Sequence, residues 1–167
     1  MLSRETSNVG PRELLPLDNH SQTKKGLALT FTMPGAPLWQ TAKPIINAMR
    51  KLIEEGRTLR FQPDPDAMGW QYVGEEIFGE MKKLKTDIEA KGYKVHEFTV
   101  FHFIEGRNLN TPTHRLLLLP IRGASDITAG ITAGGPVELE SYWDIDDKRD
   151  LIPRDQSGTD VLIVAIS

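Results

Sequence analysis

Ile45-Ile46-Asn47-Ala48-Met49-Arg50-Lys51-Leu52-Ile53-Glu54-Glu55-Gly56, followed by Arg57-Thr58-Leu59-Arg60-Phe61, reads as an amphipathic helix, a glycine stop and a short strand. Ile45, Ile46, Met49, Leu52 and Ile53 fall on one helical face. Pro44 suits a first turn, where its missing N–H costs nothing, and Gly56 suits a left-handed C-terminal stop. The same unit recurs downstream. Ile77, Met81, Leu84 and Ile88 stripe a second helix over about 75–91, Gly92 stops it, and Tyr93-Lys94-Val95 leads into a strand reaching Phe103. Glu75, Glu76 and Glu80 near its start and Lys91 at its end match the helix dipole. Two such units imply helices laid on a sheet, and they imply no particular chemistry.

Around this frame the strand signals are uneven. Leu27, Leu29, Phe31 and Met33 alternate with Ala28, Thr30 and Thr32, the pattern of a half-buried strand. Leu116–Pro120 and Val161–Ile166 are continuous apolar runs of strand length. Val95–Ile104 and His114–Ile121 are expected to form an antiparallel hairpin across a long tip. The segment 123–135, with its near-repeat Ile127-Thr128-Ala129-Gly130 and Ile131-Thr132-Ala133-Gly134, is expected to be a hairpin tip. The expected fold class is α+β: a two-layer sandwich of two main helices on a mixed, mostly antiparallel sheet of five to six strands. A right-handed crossover would allow the first two or three strands to be parallel. Residues 1–25, polar and interrupted by the island Leu14-Leu15-Pro16-Leu17, read as an extended arm; 26–167 read as one domain.

Composition bounds the function. The chain has 167 residues with 39% hydrophobic and 26% charged side chains, enough for one domain with a real core. It contains no cysteine, which excludes disulfides, thiolate nucleophiles and zinc–thiolate sites. The net charge of −3 argues against bulk nucleic-acid binding, which needs a basic excess. Met1-Leu2-Ser3-Arg4-Glu5-Thr6 lacks the apolar centre of a signal peptide and no apolar run is long enough to span a membrane, so a cytoplasmic location and no membrane partner are expected. Charge is segregated. Arg50, Lys51, Arg57 and Arg60 make 45–60 basic, whereas 136–160 carries Glu138, Glu140, Asp144, Asp146, Asp147, Asp150, Asp155 and Asp160. Segregation of this kind suits association between copies or with a partner.

Four groups of residues are candidates for chemistry. His102, on the strand ending at Phe103, and His114, on the facing run, are candidate bases, with Asp126, Glu105 or Asp146 as carboxylate partner. Asp144, Asp146 and Asp147 alternate as hard-cation ligands would. A twelve-residue calcium loop begun at Asp144 fails, since its glycine position is Arg149 and its terminal glutamate position is Asp155. The glycine-rich segment 123–135 matches no phosphate-loop motif and Ser125 sits in no nucleophile elbow. Trp39, Trp70 and Trp143 lie at element boundaries, where they serve as interface anchors or half-buried core. Leu14, Leu15 and Leu17 would fill an apolar groove if the arm straps a neighbour. No cofactor and no resident metal are expected. The leading expectation is a non-catalytic protein-binding or assembly subunit, with a protein partner or a homo-oligomer, of the kind found in viral, phage or mobile-element structural components or among immunity and effector proteins. The alternative is a small hydrolase or transferase with a His/carboxylate site.

Overall fold

A computed structural model describes residues 35–66, 68–110, 115–130 and 133–167. The expected strand at Leu27–Met33, the arm with Leu14, Leu15 and Leu17, and His114 lie outside the described residues.

The two helices stand where the apolar stripes place them. α1 covers Ala42–Glu54 and α2 covers Glu75–Ala90, burying Ile46, Met49, Leu52 and Ile53 from one and Ile77, Met81, Leu84 and Ile88 from the other. Gly56 closes α1 at φ +66°, with Gly56 N–H donating to Ile53 O (3.1 Å) and Arg57 N–H to Leu52 O (2.9 Å). These are the paired bonds of a Schellman stop, and the left-handed backbone they need favours glycine.

The sheet corrects the sequence-based expectation. The described residues form eleven strands in two sheets, of seven and four strands, not one sheet of five to six. Every pairing among the described residues is antiparallel, and the first strand of the parallel crossover, Leu27–Met33, lies outside them. The strands are β1 (Ala36–Pro37), β2 (Leu59–Phe61), β3 (Gly69–Val73), β4 (Val95–Phe103), β5 (Arg107–Leu109), β6 (Arg115–Arg122), β7 (Ser125–Ile127), β8 (Gly135–Val137), β9 (Ser141–Ile145), β10 (Arg149–Pro153) and β11 (Thr159–Ile166). The large sheet runs β1-β9-β6-β11-β4-β3-β2 and the small one β5-β10-β7-β8. The expected hairpin of β4 with β6 does not form, because β11 lies between them and pairs with both.

The pairings β4·β11, β5·β10, β6·β9 and β7·β8 nest one inside the next, like a single long hairpin folded over on itself. That nesting, with the pairs alternating between two sheets, is the strand order of a jelly roll. The innermost pair corrects the reading of 123–135 as a hairpin tip, since Ser125–Ile127 is strand β7 and Gly135 opens β8. The result is three layers: helices, large sheet, small sheet. Val100, Leu117, Leu119, Leu162, Val164 and Ile166 meet the helices, whereas Phe103, Leu116, Leu118, Trp143, Ile145 and Val161 meet Leu109, Ile127, Val137 and Leu151 of the small sheet. Leu116–Leu119 is continuous in hydrophobicity because both of its faces are covered. The two-layer expectation missed the small sheet because its strands are three to five residues long and set among Gly, Pro, Asp and Arg.

Candidate functional site: a buried histidine–aspartate pair beside two cavities

The strand register brings four side chains into one row across the large sheet. Trp70 on β3 stands opposite His102 on β4, His102 opposite Asp160 on β11, and Asp160 opposite Arg122 on β6. Directly opposed residues share a face, so their side chains meet. His102 Nδ1 donates to Asp160 Oδ1 (2.6 Å), and Arg122 Nε donates to Asp160 Oδ2 (2.7 Å). Tyr72, two residues along β3 from Trp70, donates its hydroxyl to Asp160 Oδ1 (3.0 Å). Asp160 is 1% exposed and gathers all three donors, which is how a buried carboxylate is kept. Trp70 stacks on the imidazole at 4.0 Å between centroids and 12° between planes, and the Arg60 guanidinium covers the other side of Trp70 at 4.2 Å.

The electrostatics follow from this burial. Desolvation, and then the Asp160 charge, hold the Tyr72 phenol above its ordinary value, so it remains a donor. Burial works against the Arg122 charge, but the Asp160 carboxylate outweighs it and the guanidinium is held above its ordinary value.

Two glycines set the space around the histidine. Gly158 has φ +79°, and a Cβ there would lie 2.4 Å from Phe103 O and 2.7 Å from His102 Nε2. A Cβ on Gly69 would lie 2.1 Å from His102 O. Gly158 thus leaves the Nε2 edge of the ring uncovered by a side chain. His102, Arg122, Gly123, Ser157, Gly158 and Asp160 line a cavity of about 290 Å³ on that side. A second cavity, of about 280 Å³, is lined by Pro63, Met68, Gly69, Trp70, Phe101, His102, Phe103 and Arg107 and is almost wholly apolar. With Nδ1 committed to Asp160, a neutral imidazole presents Nε2 as a proton acceptor, the arrangement of an oriented general base.

The other sequence candidates are placed elsewhere. Asp126 on β7 is bound by Arg154 Nε and Nη2 (2.8 and 2.7 Å), and that hydrogen bonding lowers its carboxyl below the usual range. Asp144 on β9 is bound by Arg115, and burial raises its carboxyl above the usual value against that pull. Asp147 accepts from Arg149 Nε (2.6 Å), and Asp146 is exposed. The acidic turn therefore has two of its three carboxylates bound by arginines, and no cluster of three or more metal-ligating side chains occurs among the described residues. The charge segregation is likewise answered partly within the chain, since Asp144, Asp147 and Asp160 all pair with arginines. Glu105 is exposed in the β4–β5 turn. Trp39 is half-buried, donates to Asp87 and meets the Tyr142 ring edge-on at 5.5 Å. Trp143 is 3% exposed between the sheets. Sequence reasoning missed Asp160, Arg122 and Tyr72. The signal for Asp160 was a carboxylate opening an apolar strand, which demands a buried partner, but naming that partner required the position of β11.

A separate feature is the hairpin β2–β3. Leu59 is 69% exposed, Phe61 51% and Met68 39%, although all three are large and apolar. β2 is the outer edge of the seven-stranded sheet. No helix among the described residues is long and apolar enough to cross a membrane.

No protein-family model matches this chain, and no curated protein matches it. Among solved structures it is similar to protein NMB1881 from Neisseria meningitidis, at 9% identity over 45% of this chain and 82% of that one, with a TM-score of 0.34. It is also similar to Drosophila melanogaster CENP-C bound to CAL1, at 14% identity over 75% of this chain and 95% of that one, with a TM-score of 0.40. At such identities and TM-scores neither likeness assigns this chain a family, a partner or an activity.

Proposed function

We propose that this chain is a non-catalytic binding protein that docks an extended segment of a protein partner on the β2–β3 hairpin. The observation that supports this reading is the gathering of Leu59, Phe61 and Met68, all exposed, on one hairpin at the edge of the large sheet. An edge strand offers unpaired backbone groups to an added strand, and exposed apolar side chains beside it supply the area. The chemistry of the edge favours a different chain over a second copy. A symmetric pairing of two β2 strands would set Arg60 opposite Arg60, and like charges directly opposed are destabilising. The fitting segment is apolar–acidic–apolar, its acid facing Arg60.

The test uses the full chain labelled with ¹⁵N and blocked peptides of sequence Thr-Val-Glu-Val-Thr and Thr-Val-Lys-Val-Thr. Shifts at the amides of residues 59–61 are expected for the acidic peptide, with affinity lowered about tenfold for the basic one, as like-charge placement costs. Leu59→Asp with Phe61→Asp should abolish the response. Absence of shifts at 59–61 with either peptide overturns the reading. So does light scattering that shows a dimer which this double variant dissociates, because the occupant is then a second copy.

A second reading has its own support. Gly158 places backbone and no side chain against His102 Nε2, beside a cavity that Arg122, Ser157 and Asp160 also line, while Asp160 fixes Nδ1. This is the constellation expected of a hydrolase or transferase base. A hydrolysis screen with activated esters and phosphoesters tests it. Turnover lost in His102→Gln, at unchanged thermal stability, supports it; turnover equal in the variant, or none, removes it.

A further inference from the structure

The apolar cavity beside the hairpin carries an inference that is independent of the docking reading. Pro63, Met68, Trp70, Phe101 and Phe103 give it apolar walls, with the Phe101 and Phe103 rings stacked at 5.4 Å. Arg107, at the start of β5, is the charged residue among its lining residues. Arg107 makes no ion pair and no side-chain hydrogen bond among the described residues. The other guanidinium on this side, Arg60, lies over the face of Trp70. The nearest carboxylate on the neighbouring strand, Asp150, accepts from Asn108 Nδ2 at 2.7 Å.

A cation at an apolar cavity with no carboxylate of its own is complementary to a ligand that is apolar at one end and anionic at the other. Guanidinium binds a carboxylate through two parallel N–H donors, and those charge-assisted bonds strengthen where water is thinned. The volume limits the apolar end. Cavities of about 150 Å³ accept a benzene ring. At about 280 Å³ this one has room for one ring or branched alkyl group and a carboxylate, and it falls short of a drug-sized molecule. We propose that the cavity of Met68, Trp70, Phe101, Phe103 and Arg107 binds a small apolar monocarboxylate, with its ring or alkyl group against Phe101 and Phe103 and its carboxylate on Arg107.

The closing experiment titrates the full chain with 3-phenylpropionate and with the uncharged 3-phenylpropanamide, following the Met68 methyl and the Trp70 indole N–H by NMR. The carboxylate is expected to bind at least about tenfold more tightly than the amide, since the charge-assisted pair is lost in the amide. Arg107→Gln should bring the two to equal affinity, and Arg107→Lys should retain part of the preference. Equal affinities in the unaltered chain, a carboxylate preference that survives Arg107→Gln, or no shift at Met68 and Trp70 up to about 10 mM ligand would each overturn the inference. The docking reading stands or falls separately, on the amides of residues 59–61.

Discussion

Replacing Asp160 with alanine should be among the most damaging single changes available to this chain, and its cost can be worked from the contacts. The carboxylate is 1% exposed and accepts from Tyr72, His102 and Arg122. Tyr72 and His102 are 2% and 5% exposed, so each donor left without an acceptor costs about 1–3 kcal/mol. The Arg122 side chain is 42% exposed and recovers water, so its share is small. The sum is about 2–6 kcal/mol, a range that brackets the usual cost of removing one side of a buried charge pair. For a chain of this length that is a fall of about 4–24 °C in Tm. Asp160→Asn keeps the shape and one acceptor oxygen but turns an NH₂ toward the donors, so about half the loss is expected. Tyr72→Phe removes one donor of three and should cost about 1 kcal/mol. Urea unfolding followed by both circular dichroism and tryptophan fluorescence would read all three. The order Ala, Asn, then Tyr72→Phe is the content of the reasoning. An Asp160→Ala loss below about 1 kcal/mol, or one smaller than that of Tyr72→Phe, would refute it.

Two further outcomes follow from the same structure. Gly56→Ala should cost about 1 kcal/mol, the price of a left-handed backbone alone, because nothing lies within 4 Å of its added Cβ. Gly158→Ala adds overlap with Phe103 O and the imidazole, and should cost at least about 1 kcal/mol more by denaturant unfolding; equal losses would show that the crowding at His102 is relaxed without cost. Burial first, and then Asp144, push the Tyr142 phenol up to about 12. A folded value above the unfolded value of about 10 means that this stability is complete below pH 10 and is lost as pH rises toward 12, by at most about 3 kcal/mol. Phenolate absorbance at 295 nm should show one late-titrating tyrosine fewer in Tyr142→Phe than in unaltered protein, since Tyr72 is also held above its ordinary value, and stability falling alike in both would contradict the assignment.

The helices were legible because each carries a complete local signal: a stripe at helical spacing and a glycine where the backbone turns left-handed. β4, β6 and β11 were legible as strands for a related reason, since a run such as Leu116–Leu119 is apolar throughout only when both faces are covered. What covered them was not legible. Arg107–Leu109 and Arg149–Pro153 are too short for a period to emerge, and each reads as turn chemistry until its partner is known. The candidate site repeats this division. His102 could be assigned a face by counting along β4, but its partner lies 58 residues away, and only the insertion of β11 brings them together. Trp143 left two alternatives open, an anchor for another molecule or core, and its burial between the sheets depends on a small sheet that its own segment does not announce.

The nested pairing has a kinetic consequence. β7 and β8 are close in sequence and lose little chain entropy on meeting, whereas each pair outward encloses a longer loop, up to β4 with β11. The order of least entropic loss is a zipper running outward from the glycine-rich tip, and its last step is the arrival of Thr159–Ile166. Until that strand arrives, β4 and β6 both lack a neighbour, and His102 and Arg122 both lack their carboxylate. Topology of this kind folds slowly for its size, and it leaves two long apolar strands with open edges meanwhile, so the interval before β11 docks is the period in which this chain is most exposed to wrong pairing. Pulsed hydrogen exchange during refolding would show this as amide protection that appears in β7 and β8 before it appears in β11.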